Sequence, residues 1–486
     1  MAPRADQEPQ PVPRRVLRDV AVWLVPALVA FGVGWWGMLA VGISRDETAT
    51  IDISTRSVPD IWRMVQHADT VHAAYYLILH FWTGAFGISP MSLRLPSLIG
   101  TAIAAALVGV LGRMLVSPRA GFAAGLLFAC SPEISAYAHN ARSYGMDSAL
   151  VVLLVILFVR AMRSNRPRAW AGYGLMLVLT VVMHLFTLLI VPAQGITMLL
   201  YARSQRSWRP LLYWLAAAVP AVAVLSPFLL RAISQGGTAS WIPPLHWHDV
   251  GLFVVNLGGG KYVFVAMLLI AAFGAFEARK VTRIALPWLL LPPVLLFGYS
   301  IRDPLYVFRY LLYCLPALLL LVAAGMERLK TWLHLTLLAV LIAATIPLHI
   351  SLRDPNIGAN DFRAEATFIA ANKQPGDAIM FLVPTQRQLA SSDRPAYSGL
   401  HDIAEGKTPA EAANFSGADV SDTVLAQRLR SVDRVWAVVY WVARASRPAA
   451  HASENKRYKM LKAAGLRWVE TVHFRGGAFQ LYQRKS

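Results

Sequence analysis

At 486 residues, 56% hydrophobic and only 15% charged, with a mean hydropathy of +0.48, the chain has too little polar surface to clothe a water-soluble globule, so the bilayer must be part of its solvent. The formal net charge of +19 would suit nucleic acid. However, the Lys and Arg residues fall in short clusters between apolar runs, with no basic stripe or stacking module, so they read as orientation signals and no nucleic-acid partner is expected. Cys130 and Cys314 both lie inside apolar runs and read as small buried hydrophobes rather than a disulfide or metal pair.

In chain order, residues 1–19 are rich in Pro, Gln and Arg and read as a disordered cytoplasmic tail. The apolar run from Val20 to about Val41 exceeds the roughly 7 to 15 residues of a signal-peptide core and reads as an uncleaved first span. Further apolar stretches follow near 94–115, 120–138, 144–162, 169–184, 186–202, 210–231, 253–276, 282–300, 306–326 and 331–350, about eleven transmembrane helices in all. Charge tests the count, because cytoplasmic loops should collect Lys and Arg. With the N-terminus inside, every second loop does so: Arg113 and Arg119; then Arg160, Arg163, Arg166 and Arg168; then Arg203, Arg206 and Arg209; then Arg279, Lys280 and Arg283; finally Arg328 and Lys330. The join at His184, where two spans meet with almost no loop, is also open to a single kinked or re-entrant element.

The fold expected is therefore a polytopic α-helical plasma-membrane protein. Residues 20–352 form its transmembrane domain, with a large first extracytoplasmic loop at 43–93, and residues 353–486 form a small extracytoplasmic α/β domain. In that loop, Ser57–Gln66 and Ala73–Phe86 are amphipathic and suit helices lying in the membrane interface or against the core of the loop. In the tail, helix-like Phe362–Ala371, Ser421–Ser431 and Lys456–Ala464 alternate with strand-like Ala378–Val383, Arg434–Trp441, Trp468–Phe474 and Ala478–Arg484. The tail carries no glycine-rich phosphate loop, metal spacing or nucleophile elbow, and no chemistry is assigned to it.

Polar chemistry gathers at the outward ends of the spans. Asp46 and Glu47 follow the first span directly, and two carboxylates at a membrane interface are costly without a use. Either Asp46 caps the following helix, or one carboxylate acts as a general base or metal ligand, with the hydrocarbon boundary raising its basicity. His67, Asp69 and His72 lie later in the loop and are of types that bind a divalent metal. Arg142 with Tyr144, and Arg309 with Tyr310, sit near outward helix ends, either snorkelling to the interface or holding an anionic phosphate leaving group.

These residues carry a resemblance. "SRDETAT" after the first span, "DTVHAAYYLILHFW" and "RLPSLIG" further on, "HNARSYGM" before the fourth span, "RYLLYCLPALLLL" near the tenth and "DFRAEATFIAANKQPGDAIMF" opening the tail resemble the GT-C membrane glycosyltransferases. They are most similar to the glycosyltransferase family 39 group, which includes protein O-mannosyltransferases and bacterial aminoarabinose transferases. The resemblance implies transfer of a sugar from a polyprenyl-phosphate donor to a hydroxyl of an envelope glycolipid, glycan or protein, on the extracytoplasmic side and with inversion. It makes Asp46 and Glu47 the acidic pair of the family, Asp46 being catalytic, while the cations at the outward helix ends leave Arg142, Tyr144, Arg309 and Tyr310 as candidate donor-phosphate ligands. Asp69 and His72 become substrate-side residues, and Glu47, Asp69 and His72 candidate ligands of a divalent metal (Mg or Mn). No nucleotide cofactor is expected. Where the family usually has two prolines after the histidine, this chain has Ala73 and Ala74.

Two other classes remain open on sequence alone. A lipid-linked sugar transporter or flippase would favour internal repeats and midplane polar groups, whereas no repeat relates the halves here. A non-catalytic envelope assembly protein would leave Asp46 dispensable.

The charge alternation yields a test that is independent of the family. In intact cells, cysteines introduced near Thr50, Gly236 and Gly417 should react with an impermeant thiol reagent while one near Asn165 should not. Labelling at Asn165 would contradict this topology.

Overall fold

The computed structural model describes residues 14–485 apart from 240 and 441–446, so residues 1–13 of the expected tail, and Trp441 at the end of one expected strand, lie outside the described residues. The first helix, α1 (Arg14–Trp35), begins earlier than the apolar run, because the helical backbone continues through the polar turn that precedes it. Three short helices follow in the first loop: α2 (Arg45–Ser54), α3 (Val58–His67) and α4 (Ala73–Phe86). The membrane domain continues through α5 (Pro90–Leu115), α6 (Pro118–Ala129), α7 (Pro132–Ala138), α8 (Tyr144–Ser164), α9 (Pro167–Met183), α10 (Ile190–Gln205), α11 (Arg209–Ser234), α12 (Trp247–Leu257), α13 (Lys261–Glu277), α14 (Arg279–Ser300), α15 (Leu315–Met326), α16 (Thr331–Ala343) and α17 (Ile346–Ser351).

Among the described residues, 8 helices or helical runs are long and apolar enough to cross a membrane, or up to 9 if the bent α12–α13 pair is one span. The chain is thus a multi-pass membrane protein, although length and composition alone do not reach the expected eleven spans. The expected stretches are largely helical, but three of them do not make a single helical run long enough to cross. The 120–138 stretch divides at Ser131, where Pro132 lacks an N–H for the preceding turn and starts α7 instead. The 253–276 stretch bends by 74° at Gly258–Gly260, and α9 stops at 17 residues. At His184 the backbone is extended (φ −152°, ψ 110°) before a 3-10 turn over Leu185–Leu189, so the doubtful join there is a real break between two elements.

Small residues let the central helices approach closely. A Cβ on Gly109 would sit 2.2 Å from the Val22 carbonyl oxygen, and one on Gly112 would sit 2.7 Å from the Gly121 Cα, so α1, α5 and α6 touch backbone to backbone.

After the last span, the tail carries α18 (Phe362–Asn372), α19 (Arg394–Tyr397), α20 (Asp422–Arg430) and α21 (Arg447–Ala463) around a five-stranded sheet. Its strands are β1 (Ala378–Phe381), β2 (His401–Asp402), β5 (Arg434–Tyr440), β6 (Leu466–Phe474) and β7 (Gly477–Arg484), in the order β2-β1-β5-β7-β6. A separate pair, β3 (Glu405–Lys407) and β4 (Ala418–Asp419), lies beside it. β1 pairs parallel with β2 and β5, and β7 runs antiparallel to β5 and β6. Strands β1 and β5 are apolar on both faces because helices cover both sides, which is why they appeared in sequence as continuous apolar runs.

The tail docks on the first loop through α2. Arg56 donates both to Asp52 Oδ2 (2.6 Å) and to the Asn414 carbonyl (2.8 Å), Arg394 lies 3.5 Å from Asp52 Oδ1, and Phe415 packs on the Ile53, Ile61 and Met64 cluster. The other face of the loop is tied to the membrane domain by one buried pair. Arg94, only 1% exposed, spends all five N–H donors: Nε and Nη2 on Glu47 (2.7 and 2.9 Å), Nη1 on the carbonyls of Met38 and Val41, and Nη2 also on that of Gly42 (2.9 Å). Glu47 in turn accepts from the Ser44 N–H (2.8 Å) and the Ala141 N–H (3.1 Å), so both of its oxygens are doubly used. Burying such a pair costs several kcal/mol of desolvation, which is offset only because every donor and acceptor is satisfied.

Removing one partner leaves the other charge buried alone. Arg94→Met should therefore lower the stability of the purified protein by about 3 to 5 kcal/mol, read as a drop in thermal midpoint in detergent. A midpoint within 1 °C or so of the parent would mean that the pair does not hold the loop.

Candidate active site

The first turn of α2 separates the two adjacent carboxylates. Ser44, not Asp46, is the N-cap: its hydroxyl accepts the Glu47 N–H (3.2 Å) and Glu47 returns a bond to the Ser44 N–H, closing a capping box. The capping role considered for Asp46 is thus already filled, and Asp46 is left to point elsewhere. Its carboxylate keeps 36% of its surface accessible, although Arg142, Tyr76 and Tyr144 nearby are buried and Arg309 is half-buried.

Two cations from distant parts of the chain face it. Arg309 Nη2 lies 3.2 Å from Asp46 Oδ2, and Arg142 Nη2 lies 3.8 Å from Oδ1. Arg142 comes from the turn between α7 and α8, and that turn is pinned by the bond from the Ala141 N–H to Glu47. Arg309 comes from the 3-10 turn Phe308–Cys314 and donates through Nε to the Tyr144 hydroxyl (2.8 Å), while its guanidinium lies over the Trp241 ring at 5.5 Å. Neither arginine snorkels to the interface as a lone side chain.

The network continues into the first loop. Arg142 Nη1 donates to the Tyr76 hydroxyl (3.3 Å), Tyr76 donates to Asp69 Oδ2, and Asp69 Oδ1 lies 2.8 Å from His72 Nδ1. Asp69 adopts a left-handed backbone (φ 57°), a conformation Asp tolerates better than most residues, and Gln235 fixes the turn by accepting the Thr70 N–H (2.9 Å). His72 Nε2 is buried without a hydrogen-bond partner. His67 stays exposed at the end of α3, outside the network. Tyr310 makes no polar contact with Asp46 but stacks on Phe186 (4.3 Å), forming the apolar floor beneath Arg309.

Charge here runs against one expectation. Burial alone would raise the Asp46 carboxyl, but Arg142 first and Arg309 second outweigh it and hold Asp46 below the usual carboxylate range. The basicity is therefore lowered, not raised by the hydrocarbon boundary. For Asp69 burial is again overcome, here by His72 and Arg142, and the group also titrates lower than usual. Burial and the adjacent Asp69 keep the Tyr76 phenol well above its ordinary value, so it remains a proton donor.

The proposed metal ligands do not come together. Both Glu47 oxygens are occupied by Arg94 and backbone N–H groups rather than joining the Asp69–His72 pair, and no group of three or more His, Cys, Asp or Glu side chains that could hold a metal ion occurs among the described residues. Asp46 faces two guanidinium groups that would compete with any cation. The donor set does not fit a divalent ion, and no chemical step is assigned to one.

The roles of four residues were not legible in the sequence. Arg94 was visible as a charge opening an apolar span, which is expensive unless used, but its partner 47 residues away was not. Tyr76 lay unremarked within the amphipathic Ala73–Phe86 stretch. Asp147 and His184, buried 3.9 Å apart below Tyr144, were absorbed into apolar runs.

The family model described as dolichyl-phosphate-mannose-protein mannosyltransferase matches residues 73–230, a segment that contains Tyr76, Arg94, Arg142 and Tyr144. No curated protein matches in sequence. Among solved structures, ArnT from Cupriavidus metallidurans bound to undecaprenyl phosphate superposes with a TM-score of 0.61 at 12% identity, covering 95% of this chain and 98% of that one. The oligosaccharyltransferase AglB from Archaeoglobus fulgidus, in complex with an inhibitory peptide and a dolichol-phosphate, superposes with a TM-score of 0.50 at 11% identity, covering 94% and 73%. At these identities the likeness is one of fold, that of the GT-C membrane glycosyltransferases, and the family match in sequence is confined to residues 73–230.

Proposed function

We propose that the chain transfers a sugar from a polyprenyl-phosphate donor to a hydroxyl of an envelope glycolipid, glycan or protein at the extracytoplasmic face of the plasma membrane, by inverting single displacement. The observation that carries this reading is the partly accessible Asp46 carboxylate, ion-paired between the guanidinium groups of Arg142 and Arg309. A base and a pair of anion-binding cations side by side are what a displacement at an anomeric carbon needs when the leaving group is a phosphate. The polyprenyl-phosphate ligands of ArnT and AglB support the donor class.

In this mechanism the acceptor O–H gives its proton to Asp46, and its oxygen attacks the anomeric carbon on the face opposite the phosphate. The bond from the anomeric carbon to the phosphate oxygen breaks, and its electron pair leaves with the polyprenyl phosphate, held by Arg309 and Arg142. Tyr144 orients Arg309, and the Asp69–Tyr76 pair orients Arg142. The depressed Asp46 pKa fits this cycle: the free enzyme keeps its base ionised, and a bound phosphate draws both cations toward itself, which restores basicity when the donor is present.

Asp46→Asn keeps size and most hydrogen bonding but removes the base. Transfer, read by mass spectrometry of envelope lipids and glycans and then with purified protein, should fall about 100-fold to 10,000-fold with expression unchanged. Near-parent transfer would return the chain to the transporter or assembly readings. The charge environment adds a test by pH. Asp46 is ionised above its lowered pKa, so kcat/KM should be flat from mildly acidic to neutral pH. In Arg309→Gln one lowering charge is gone, the folded pKa rises, and the acid limb should move to higher pH alongside weaker donor use. An unmoved acid limb would contradict the coupling.

A further inference from the structure

At the end of the bundle opposite Asp46, a cleft of about 410 Å³ opens between the inward ends of α1, α5 and α8. Its walls are Val22, Trp23, Val110 and Met114, and its mouth carries Arg113, Arg160 and Arg163 against a single acid, Asp19. Asp19 pairs with Arg113 (2.9 Å), and Arg163 donates to the Met114 carbonyl (2.6 Å), which fixes both side chains at the rim. Arg160 has no hydrogen bond or ion pair among the described residues. Two positive charges are thus left uncompensated beside an apolar cavity at the level where a span meets water. Trp23, 40% exposed, marks that level as an interfacial aromatic.

We propose that this cleft binds the phosphate headgroup of an anionic glycerophospholipid of the cytoplasmic leaflet. Arg160 and Arg163 clasp the phosphate, and an acyl chain lies along Val22, Trp23 and Val110. The walls favour a lipid over a free anion, because a soluble phosphate would leave the apolar cavity wet. Basic pockets between spans on the cytoplasmic side suit such headgroups, with each arginine near the surface contributing about fivefold in affinity. The site is separate from the transfer chemistry and does not depend on it.

Native mass spectrometry of the detergent-purified full chain with phosphatidylglycerol, phosphatidylcholine or inorganic phosphate tests this. The parent should retain phosphatidylglycerol well above phosphatidylcholine, and inorganic phosphate should not displace it at equal concentration. Arg160→Gln should weaken retention about fivefold, Arg160→Lys should keep most of it, and Arg160→Gln with Arg163→Gln should lose about 30-fold. Because Arg163 supports the Met114 carbonyl, the single Arg160→Gln variant keeps the test valid should the double variant misfold. Equal retention of the two lipids, displacement by inorganic phosphate, or unchanged retention in Arg160→Gln would overturn the proposal.

Discussion

The arrangement depends on one buried ion pair. A charged side chain buried at the end of a span is tolerated only when its hydrogen-bonding capacity is spent, and Arg94 and Glu47 spend theirs on each other and on five backbone groups. Those groups belong to the chain leaving α1, the first turn of α2 and the turn before α8. A single contact thus fixes the relative position of three segments that are remote in sequence, and two of them carry Asp46 and Arg142. Glu47 is best understood as the residue that positions its neighbour's chemistry, which explains why two adjacent carboxylates have unlike surroundings.

The same frame explains the electrostatics. Asp46 remains partly open while its neighbours are more deeply buried, so its charge is governed by which cations face it. Arg309 arrives from far along the chain and is steered by the Tyr144 hydroxyl and by Trp241. Arg142 is steered from the other side by Tyr76, itself held by Asp69. The tail, locked on α2 through Arg56, Asp52 and Asn414, covers the far side of the same helix. Every element around Asp46 is therefore braced by a polar contact with another, which suits a site that must keep its geometry while substrates exchange.

Much of this was legible in sequence where the signal is local. Apolar length identified the membrane domain, amphipathic spacing identified α3 and α4 within a residue or two, and the alternation in the tail identified its four main strands. The shared network of Asp46, Arg142, Tyr144, Asp69, His72 and Arg309 followed from their clustering at outward ends. Relations between distant residues were not legible. Whether Asp46 or Ser44 capped α2 depended on side-chain direction, the role of Glu47 depended on Arg94, and the lowered basicity of Asp46 depended on Arg142 and Arg309, which are 96 and 263 positions away in the chain. Interrupted spans were also hard to read, because Pro132 and Gly258–Gly260 break helices without breaking hydrophobicity.

The central claim is that Asp46 supplies the base while Arg142 and Arg309, otherwise neutralised by it, hold the leaving phosphate. It is tested most directly by measuring the affinity of purified Asp46→Asn protein for bare undecaprenyl phosphate alongside its transfer activity. Removing the carboxylate frees both cations, so the account predicts binding at least as tight as that of the parent with transfer lost. Binding that is lost together with activity, or activity that survives, would contradict it.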